Sequence, residues 1–577
     1  MPKGGQFILP VEQLPVIFAV EDFTEEHLMI QQMIKDFVAA EVASDEAVEV
    51  IEAKNWNFVW DFSRNLLKKL GELGLLGAEI PEIYGGQGLD KITGAIIAEE
   101  IAKEGSFACT FLAHTGIGTL PVRFFGTEEQ KKKYLPRLVS GEWVAAYCLT
   151  DTEAGSDADG VKAQAVPSND GGNYILNGEK IFVTNGGFAD LFVVFAKIPG
   201  AGLTAFILEK TFPGVTTGKQ EHKMGIEGSS TTTVVLDNVV VPSDNLLGES
   251  GKGLKIALNI LNLGRFKLGA ASLGAGKMCL EESLEYARDR KQFGQSIGNF
   301  GAIREKLAQM AVKIFAMEAI VYRTAGHLEE AISQVDTADA KAVLNAIGEF
   351  AVECSLVKVF CSEALDFIVD ENVQIHGGSG YCEGNSERHY RDARINRIFE
   401  GTNEINRLLA VDMLLKKALK TKDLPLMAEV KKVVNETISA SLAVEPLDLE
   451  DRLIFYLNNA KKAVLFAAGA AFQKFMLTLK DHQIILLDLS DCLISVYVME
   501  SGLAVWTKKK SGKKEKLVRA LFHEHLLVLE KTTKEIVVMS TTVGDEQKTQ
   551  LAMLRRILKF SSENKEELYN KIVEDLD

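Results

Sequence analysis

The chain has 577 residues, of which 47% are hydrophobic, 8% aromatic and 25% charged, with only 12 prolines, a balance that excludes a disordered or fibrous protein. At one domain per ~150 residues this length suits about four units. A formal charge of -16, from 64 Lys and Arg against 80 Asp and Glu, argues against whole-surface attraction to nucleic acid, whose phosphates are bound through Lys and Arg.

The first twenty residues carry Pro10, Pro15 and the acid Glu12, and suit neither a secretory apolar core nor an Arg-rich transit peptide. Seven cysteines (Cys109, Cys148, Cys279, Cys354, Cys361, Cys382 and Cys492) are scattered without a CxxC pair. Both features lead us to expect a reduced, cytoplasmic setting. From Thr24 to about Leu138, Leu28, Met33, Ile34, Phe37 and Val38 recur at roughly 3.6 residues behind a Thr24-Glu25-Glu26 start, which predicts a helical unit. From about Tyr147 the texture changes to short β-branched or aromatic runs, Tyr174 to Thr184, Leu191 to Phe195, Leu203 to Leu208 and Thr231 to Leu236, punctuated by Gly and Asn. Helical periodicity returns from Gly253 to about Leu415. After Lys416-Lys417 a linker leads into a further helical stretch that ends at Asp577.

The expected architecture is therefore mainly α with a central β domain, divided at residues 1–145, 146–252, 253–420 and 421–577. The longest apolar run of the last unit, Val464 to Phe472, falls far short of the ~20 residues of a membrane span. Lys508 to Lys516 is the one basic cluster, and a solvated loop accounts for it.

Several segments offer chemistry. Asp151-Thr-Glu-Ala-Gly-Ser-Asp157 has the small residues and hydroxyls that let a backbone approach a phosphate or carbonyl, or is a plain turn. No segment matches a phosphate-binding GxxxxGK[ST] loop or a strand-borne GxGxxG. His523-Glu-His525 places its imidazoles on different sides of a helix, so no metal site is expected. Gln374-Ile-His-Gly-Gly-Ser-Gly-Tyr381 interrupts a helical region, either as a turn between helices or as a place of close backbone approach. Glu400 follows the apolar pair Ile398-Phe399 and precedes Gly401. A carboxylate desolvated there would be a strong general base for a carbon acid, unless it is only a surface helix end.

In order along residues 25 to 415, Tyr147 to Asp157, Lys180-Ile-Phe-Val-Thr-Asn-Gly-Gly187, Arg288-Asp-Arg-Lys-Gln-Phe-Gly294, Gln374 to Tyr381 and Arg391 to Thr402 resemble the acyl-CoA dehydrogenase family. These flavoproteins convert acyl-CoA to trans-2-enoyl-CoA. The resemblance implies an N-terminal helical domain, a β-barrel-like middle domain and a four-helix bundle. It makes Glu400 the base that removes the α-proton while the β-hydrogen leaves as hydride to FAD. It also implies that the backbone N–H of that Glu and a ribityl hydroxyl hold the thioester carbonyl.

Residue by residue, it implies that Tyr147, Leu149, Thr150, Phe182 and Thr184 line the isoalloxazine, Phe182 standing where relatives often have Trp. Ser156 is shared by cofactor and CoA. Arg290, Phe293, Gln374 and Gly378 hold the adenosine-pyrophosphate across a subunit interface, which requires at least a dimer. Thr402 and Glu404 lie on the flavin side. Asn262, Arg265, Phe399 and Gly401 lie on the substrate side, with Arg265 suited to a phosphate-rich partner. Gly264 stands where isovaleryl-type members carry their base.

The tail beyond about residue 420, with Asn262 to Phe266 and Ile398 to Asn403, is similar to the very-long-chain branch. This implies a homodimer with peripheral membrane contact. Leu453 to Leu477 with Lys461, Lys462 and Lys474 is the candidate surface, against the alternative of bundle core. Small residues at Ser106, Ala108 and Cys109 are expected to leave room for a long acyl chain. Electron-transfer flavoprotein is the expected acceptor and β-oxidation the expected pathway. An acyl-CoA oxidase, or a scaffold on the same fold resembling the assembly factor of respiratory complex I, are the rival readings.

Overall fold

A computed structural model of the chain describes residues 2–169, 171–421, 424–439 and 444–576. The N-terminal unit comprises α1 (Glu25–Phe37), α2 (Asp45–Glu52), α3 (Trp56–Glu72), α4 (Lys91–Ile101), α5 (Gly105–Leu112), α6 (Leu120–Phe125) and α7 (Glu128–Val139). The Thr24 hydroxyl accepts the His27 N–H and caps α1, whose first turn holds Glu25 and Glu26, as the helix dipole favours. The inward face of α1 carries His27, Ile34 and Phe37; Leu28, expected inside, is exposed. His27 wins that place because its Nε2 reaches Asp90 Oδ2 at 3.1 Å.

The middle unit is a sheet of β1 (Ala145–Cys148), β2 (Gln164–Pro167), β3 (Asn173–Thr184), β4 (Leu191–Ile198), β5 (Gly202–Glu209), β6 (Val215–Thr217), β7 (Thr231–Pro242) and β8 (Leu246–Leu247). Its strand order is β6-β7-β3-β2-β4-β5-β8, with β1 parallel to β4. The β3–β7 ladder slips between Lys180 and Val183, and within that slip Phe182 takes a left-handed φ of 56°. Such a bulge re-aims a side chain, and the Phe182 ring is 63% exposed.

The third unit holds α8 (Gly253–Asp289), the small hairpin β9 (Lys291–Gln292) and β10 (Gln295–Ser296), then α9 (Gly301–Ile332), α10 (Ala340–Glu349), α11 (Ala351–His376), α12 (Gly378–Tyr381), α13 (Asn385–Ala393) and α14 (Asn403–Lys420). The long helices α8, α9, α11 and α14 form the bundle. α8 and α11 run parallel: Gly269 abuts Val357, and Ser283 Oγ donates to Asn372 Oδ1 at 2.7 Å further along. Gly377, with φ 60° and ψ -134°, ends α11 where the sequence predicted a break.

The tail comprises α15 (Leu426–Ser439), α16 (Leu449–Phe475), α17 (Gln483–Lys508), α18 (Gly512–Ser540), α19 (Asp545–Ile557) and α20 (Lys565–Glu574). Leu449–Asp481 is the one stretch, among the described residues, long and apolar enough to cross a membrane. Leu453, Leu457, Val464 and Phe466 are buried, α16 packing on α17 and α18 of the tail, while Met476 and Leu477 at the end of the stretch are exposed.

Lys461 is not a surface cation. It is fully buried, its Nζ bonds Glu500 Oε1 at 2.5 Å and Leu9 O at 2.9 Å, and Arg323 of α9 reaches Glu500 Oε2 at 2.7 Å. Lys462 pairs with Glu436, and Lys474 alone of the three expected cations is exposed. The Lys508–Lys516 cluster also departs from a free loop. It spans the end of α17 and the start of α18, and Lys508, Lys510, Lys514 and Lys516 pair with Asp22, Glu450, Glu21 and Asp575.

Candidate active site

Glu400 lies in a tight corner between a 3-10 turn (Arg394–Arg397) and α14. Its backbone φ is 58° and that of Gly401 81°, so two successive residues are left-handed; for a residue with a Cβ this costs about 1–2 kcal/mol. Side chains hold the corner open. Arg265 Nε donates to Glu400 O at 3.2 Å, and Asn406 Nδ2 donates to the carbonyls of Glu400, Gly401 and Thr402 at 3.2, 2.7 and 3.1 Å. Lys358 Nζ donates to Gly401 O at 2.8 Å, and the Thr402 hydroxyl accepts the Ile405 N–H, starting α14.

The Glu400 carboxylate points into the interior. Its Oε2 is buried and has no hydrogen-bond partner among the described residues. Burial pushes its pKa up to about 7, although the cations Arg265 and Lys358 pull the other way. A Cβ on Gly264 would lie 2.7 Å from Glu400 Oε2, so the bare helix surface at Gly264 is what admits the carboxylate.

That carboxylate faces a cavity of about 990 Å³, solvent-open mouth included. One face of α8 walls it over four turns through Gly264, Leu268, Ala271, Ala275 and Met278, and α5 faces it with Gly105, Ala108 and Cys109. Of the residues expected along an acyl channel, Ala108 and Cys109 line it and Ser106 does not. Ser106 turns to the β domain, where its Oγ accepts the Gly228 N–H at 3.1 Å. Phe399 and Thr184 line the cavity beside Glu400.

The phosphate-facing role expected of Arg265 gives way to another. The side chain is 3% exposed, bonded to Glu400 O and, through Nη1, to Asn262 Oδ1 at 3.1 Å. Asn262 is likewise buried and orients Arg265. Both act on the corner from behind.

Beside the cavity, Tyr147 and Leu149 emerge from β1, with Thr150 next in the chain and Phe182 and Thr184 at the end of β3. The Tyr147 hydroxyl is buried and without a partner among the described residues. The orphaned Tyr147 hydroxyl and the exposed Phe182 ring offer the polar and aromatic contacts that a flat, partly polar group such as an isoalloxazine needs. Ser156 lies exposed on the adjoining loop, which Asp151 ties down by accepting the Lys162 N–H at 2.6 Å. Glu404 is exposed on the first turn of α14.

Arg290, Phe293, Gln374 and Gly378 form a separate exposed group where α8 and α11 end together, Tyr286 and His376 stacking there at 4.2 Å. No cluster of His, Cys, Asp or Glu suited to a metal occurs among the described residues; His525 of the HxH pair is half-buried, its Nδ1 3.1 Å from Ser495 Oγ. The sequence reading gave no role to Lys358, Asn403 or Asn406; Asn403 closes the Ile398 to Asn403 segment, and the other two stand in no recognisable pattern. The one signal was a lysine inside the apolar run Ser355 to Phe360.

Comparison with known proteins agrees with this geometry. Family models for the N-terminal, middle and C-terminal domains of acyl-CoA dehydrogenase match residues 24–142, 146–239 and 251–415, and a further acyl-CoA dehydrogenase C-terminal model matches residues 459–556. A probable acyl-CoA dehydrogenase of Bacillus subtilis is 45% identical over 573 residues, 97% of this chain and 95% of that protein. The human mitochondrial very long-chain specific acyl-CoA dehydrogenase is 41% identical over 377 residues, covering 63% of this chain and 54% of that one. Among solved structures, an acyl-CoA dehydrogenase complexed with FAD from Bacillus anthracis superposes with a TM-score of 0.95 at 45% identity, covering 100% of this chain and 99% of the other. The butyryl-CoA dehydrogenase of Megasphaera elsdenii superposes with 0.61 at 37% identity over 68% of this chain and 99% of its own, so the tail lies outside that match. With all four domain models matched and a relative aligned from end to end, the chain belongs to the acyl-CoA dehydrogenase family, an oxidoreductase family.

Proposed function

We propose that the enzyme holds FAD and oxidises long-chain acyl-CoA to trans-2-enoyl-CoA in fatty acid β-oxidation, passing the electrons to an electron-transfer flavoprotein. The observation that carries this reading is the Glu400 carboxylate: buried, without a partner on Oε2, raised to about 7 and aimed into an apolar cavity. A carboxylate that has lost its water is a stronger base toward carbon, and a pKa near neutrality matches its proton affinity to the task. Glu400 takes the α-proton, and its own backbone N–H, presented by the left-handed corner, stabilises the enolate charge that develops on the thioester oxygen. Tyr147, Leu149, Thr150, Phe182, Thr184 and Thr402 would hold the isoalloxazine, and FAD when bound supplies the hydride acceptor.

The wall of α8 supports the long chain. From Gly264 to Cys279, both of which line the cavity, the helix rises about 22 Å, far more than a butyryl chain occupies. All seven cysteines are unpaired, which supports a cytoplasmic location. Arg290, Phe293, Gln374 and Gly378, remote from Glu400 and exposed, support a homodimer in which each copy completes the other's cofactor site.

Purified protein is expected to be yellow and to bleach anaerobically with palmitoyl-CoA more readily than with butyryl-CoA. It is expected to recover colour rapidly with electron-transfer flavoprotein and slowly with oxygen. Glu400→Gln is expected to keep FAD and lose bleaching. Rapid recovery with oxygen would make the enzyme an oxidase, and protein that cannot be loaded with FAD would favour the scaffold reading.

A further inference from the structure

Lys358 sits on α11, directly beneath the corner that carries Glu400, and its side chain is wholly buried. Its ammonium has two short partners, Gly401 O at 2.8 Å and Asn403 Oδ1 at 2.6 Å. Asn403 is fixed in turn, its Nδ2 donating to Ser362 Oγ and Glu363 Oε1, both at 3.0 Å. Bonded to the residue that follows Glu400, the same cation is within electrostatic reach of its carboxylate, with Arg265, Glu363 and Glu404 the other charged groups around it. A lysine sunk in the helix-bundle interior is costly unless it holds something in place. Here it bridges the two ends of the turn, the Gly401 carbonyl and the first side chain of α14, where the backbone is most strained.

We propose that Lys358 is a positioning residue for the reaction: its ammonium locks the left-handed corner at Glu400 and Gly401, and its charge sets the pH at which the Glu400 carboxylate ionises. This rests on Glu400 being the base. Arg265 and Asn406 hold the Glu400 carbonyl, but of these donors only Lys358 ties Gly401 to Asn403. Burial favours the neutral form of Lys358 and pushes its pKa down to about 7, with Glu400 opposing. Glu400 and Lys358 therefore titrate as a coupled pair, each charge favouring the charged form of the other.

The test uses the FAD-loaded protein and two variants, Lys358→Met and Lys358→Arg. Without substrate, the infrared carboxylic-acid band that is absent from Glu400→Gln reports ionisation of this side chain independently of turnover. In Lys358→Met that band is expected to persist to a pH higher by about one unit, because removing a cation disfavours the carboxylate. The pH midpoint of bleaching by palmitoyl-CoA is expected to move with it, and the plateau rate to fall about tenfold. Lys358→Arg keeps the charge, so its midpoint is expected to stay, while the plateau falls because a planar fork cannot reproduce the two contacts.

A Lys358→Met protein with the wild-type midpoint and plateau overturns the proposal, and a lowered plateau with an unmoved midpoint overturns the role of the charge. If the Met variant does not hold FAD, Lys358→Gln, neutral but able to donate, is read by the same band, and an unmoved midpoint there overturns that role equally. Normal bleaching by Glu400→Gln would instead sink the base assignment, and the proposal with it.

Discussion

The Glu400 carboxyl is held in its protonated form by the same burial that makes its anion a good base, and this couples function to stability. In the folded protein it ionises at about 7 instead of 4.5. Between those two values the unfolded chain releases the proton and the folded chain keeps it, so the unfolded state gains ground as pH rises; the loss is complete above the folded value. The stability sacrificed at alkaline pH is on the order of 3 kcal/mol. Glu400→Gln, which has nothing to ionise, is therefore expected to melt higher than the wild type at pH 8, and the two melting temperatures are expected to converge toward pH 4. Thermal unfolding across that range checks the sign, and equal melting temperatures at pH 8 would show that the carboxyl is solvated.

At the level of elements, the site is built where a helix lacks a side chain. Gly264 lies within α8, where a glycine costs about 1 kcal/mol relative to alanine, and the Glu400 carboxylate occupies the space thereby freed. Gly264→Ala is thus expected to act in opposite directions on stability and on rate. The helix gains propensity, and the carboxylate, a flexible end 2.7 Å from the new Cβ, swings away from its working position. We expect bleaching by palmitoyl-CoA to slow at least tenfold with FAD content and melting temperature unchanged or raised; an unaltered rate would show that the carboxylate has room to spare.

The same residues show what was legible in the sequence. Glu400 and Gly401 announced themselves by standing between an apolar pair and a helix cap, and the switch from helical to strand texture near Tyr147 was visible because period and residue type change together. The inward place of Leu28, the phosphate role of Arg265 and the surface role of Lys461 were misread for one shared reason. Each depends on a partner that lies outside its own helix and dozens of positions or more away: Asp90 for His27, the Glu400 carbonyl for Arg265, Glu500 for Lys461. Periodicity reports which face a residue is on and is blind to what meets it there.

Across the whole molecule, the tail is tied to the core by buried charge and by the N-terminal segment. Glu500 of α17 joins Lys461 of α16 to Arg323 of α9, while the Asn458 side-chain amide accepts the Val11 N–H and donates to the Val11 carbonyl, and the Phe7 ring packs on Tyr497. A tail held this way is a fixed part of the enzyme; it covers one side of the bundle and reaches the last turn of α8, where Arg288 Nη2 donates to Leu576 O at 3.0 Å, while the residues just beyond stay exposed. At that end Arg290, Phe293, Gln374 and Gly378 stand together, with Phe293 93% exposed.

From Gly264, beneath the base, to Asp289, α8 rises about 38 Å, so these residues serve a cofactor in another copy if they serve one at all. A bare phenylalanine ring there is available to an interface. Phe293→Ala is expected to lower FAD retention and shift the sedimentation of the protein from dimer toward monomer together, with the melting of FAD-free protein unaffected because the ring contributes little to its own chain. Loss of FAD without loss of the dimer would place the ring on the cofactor alone, and a wild-type monomer that holds FAD would rule out sharing of the site between copies.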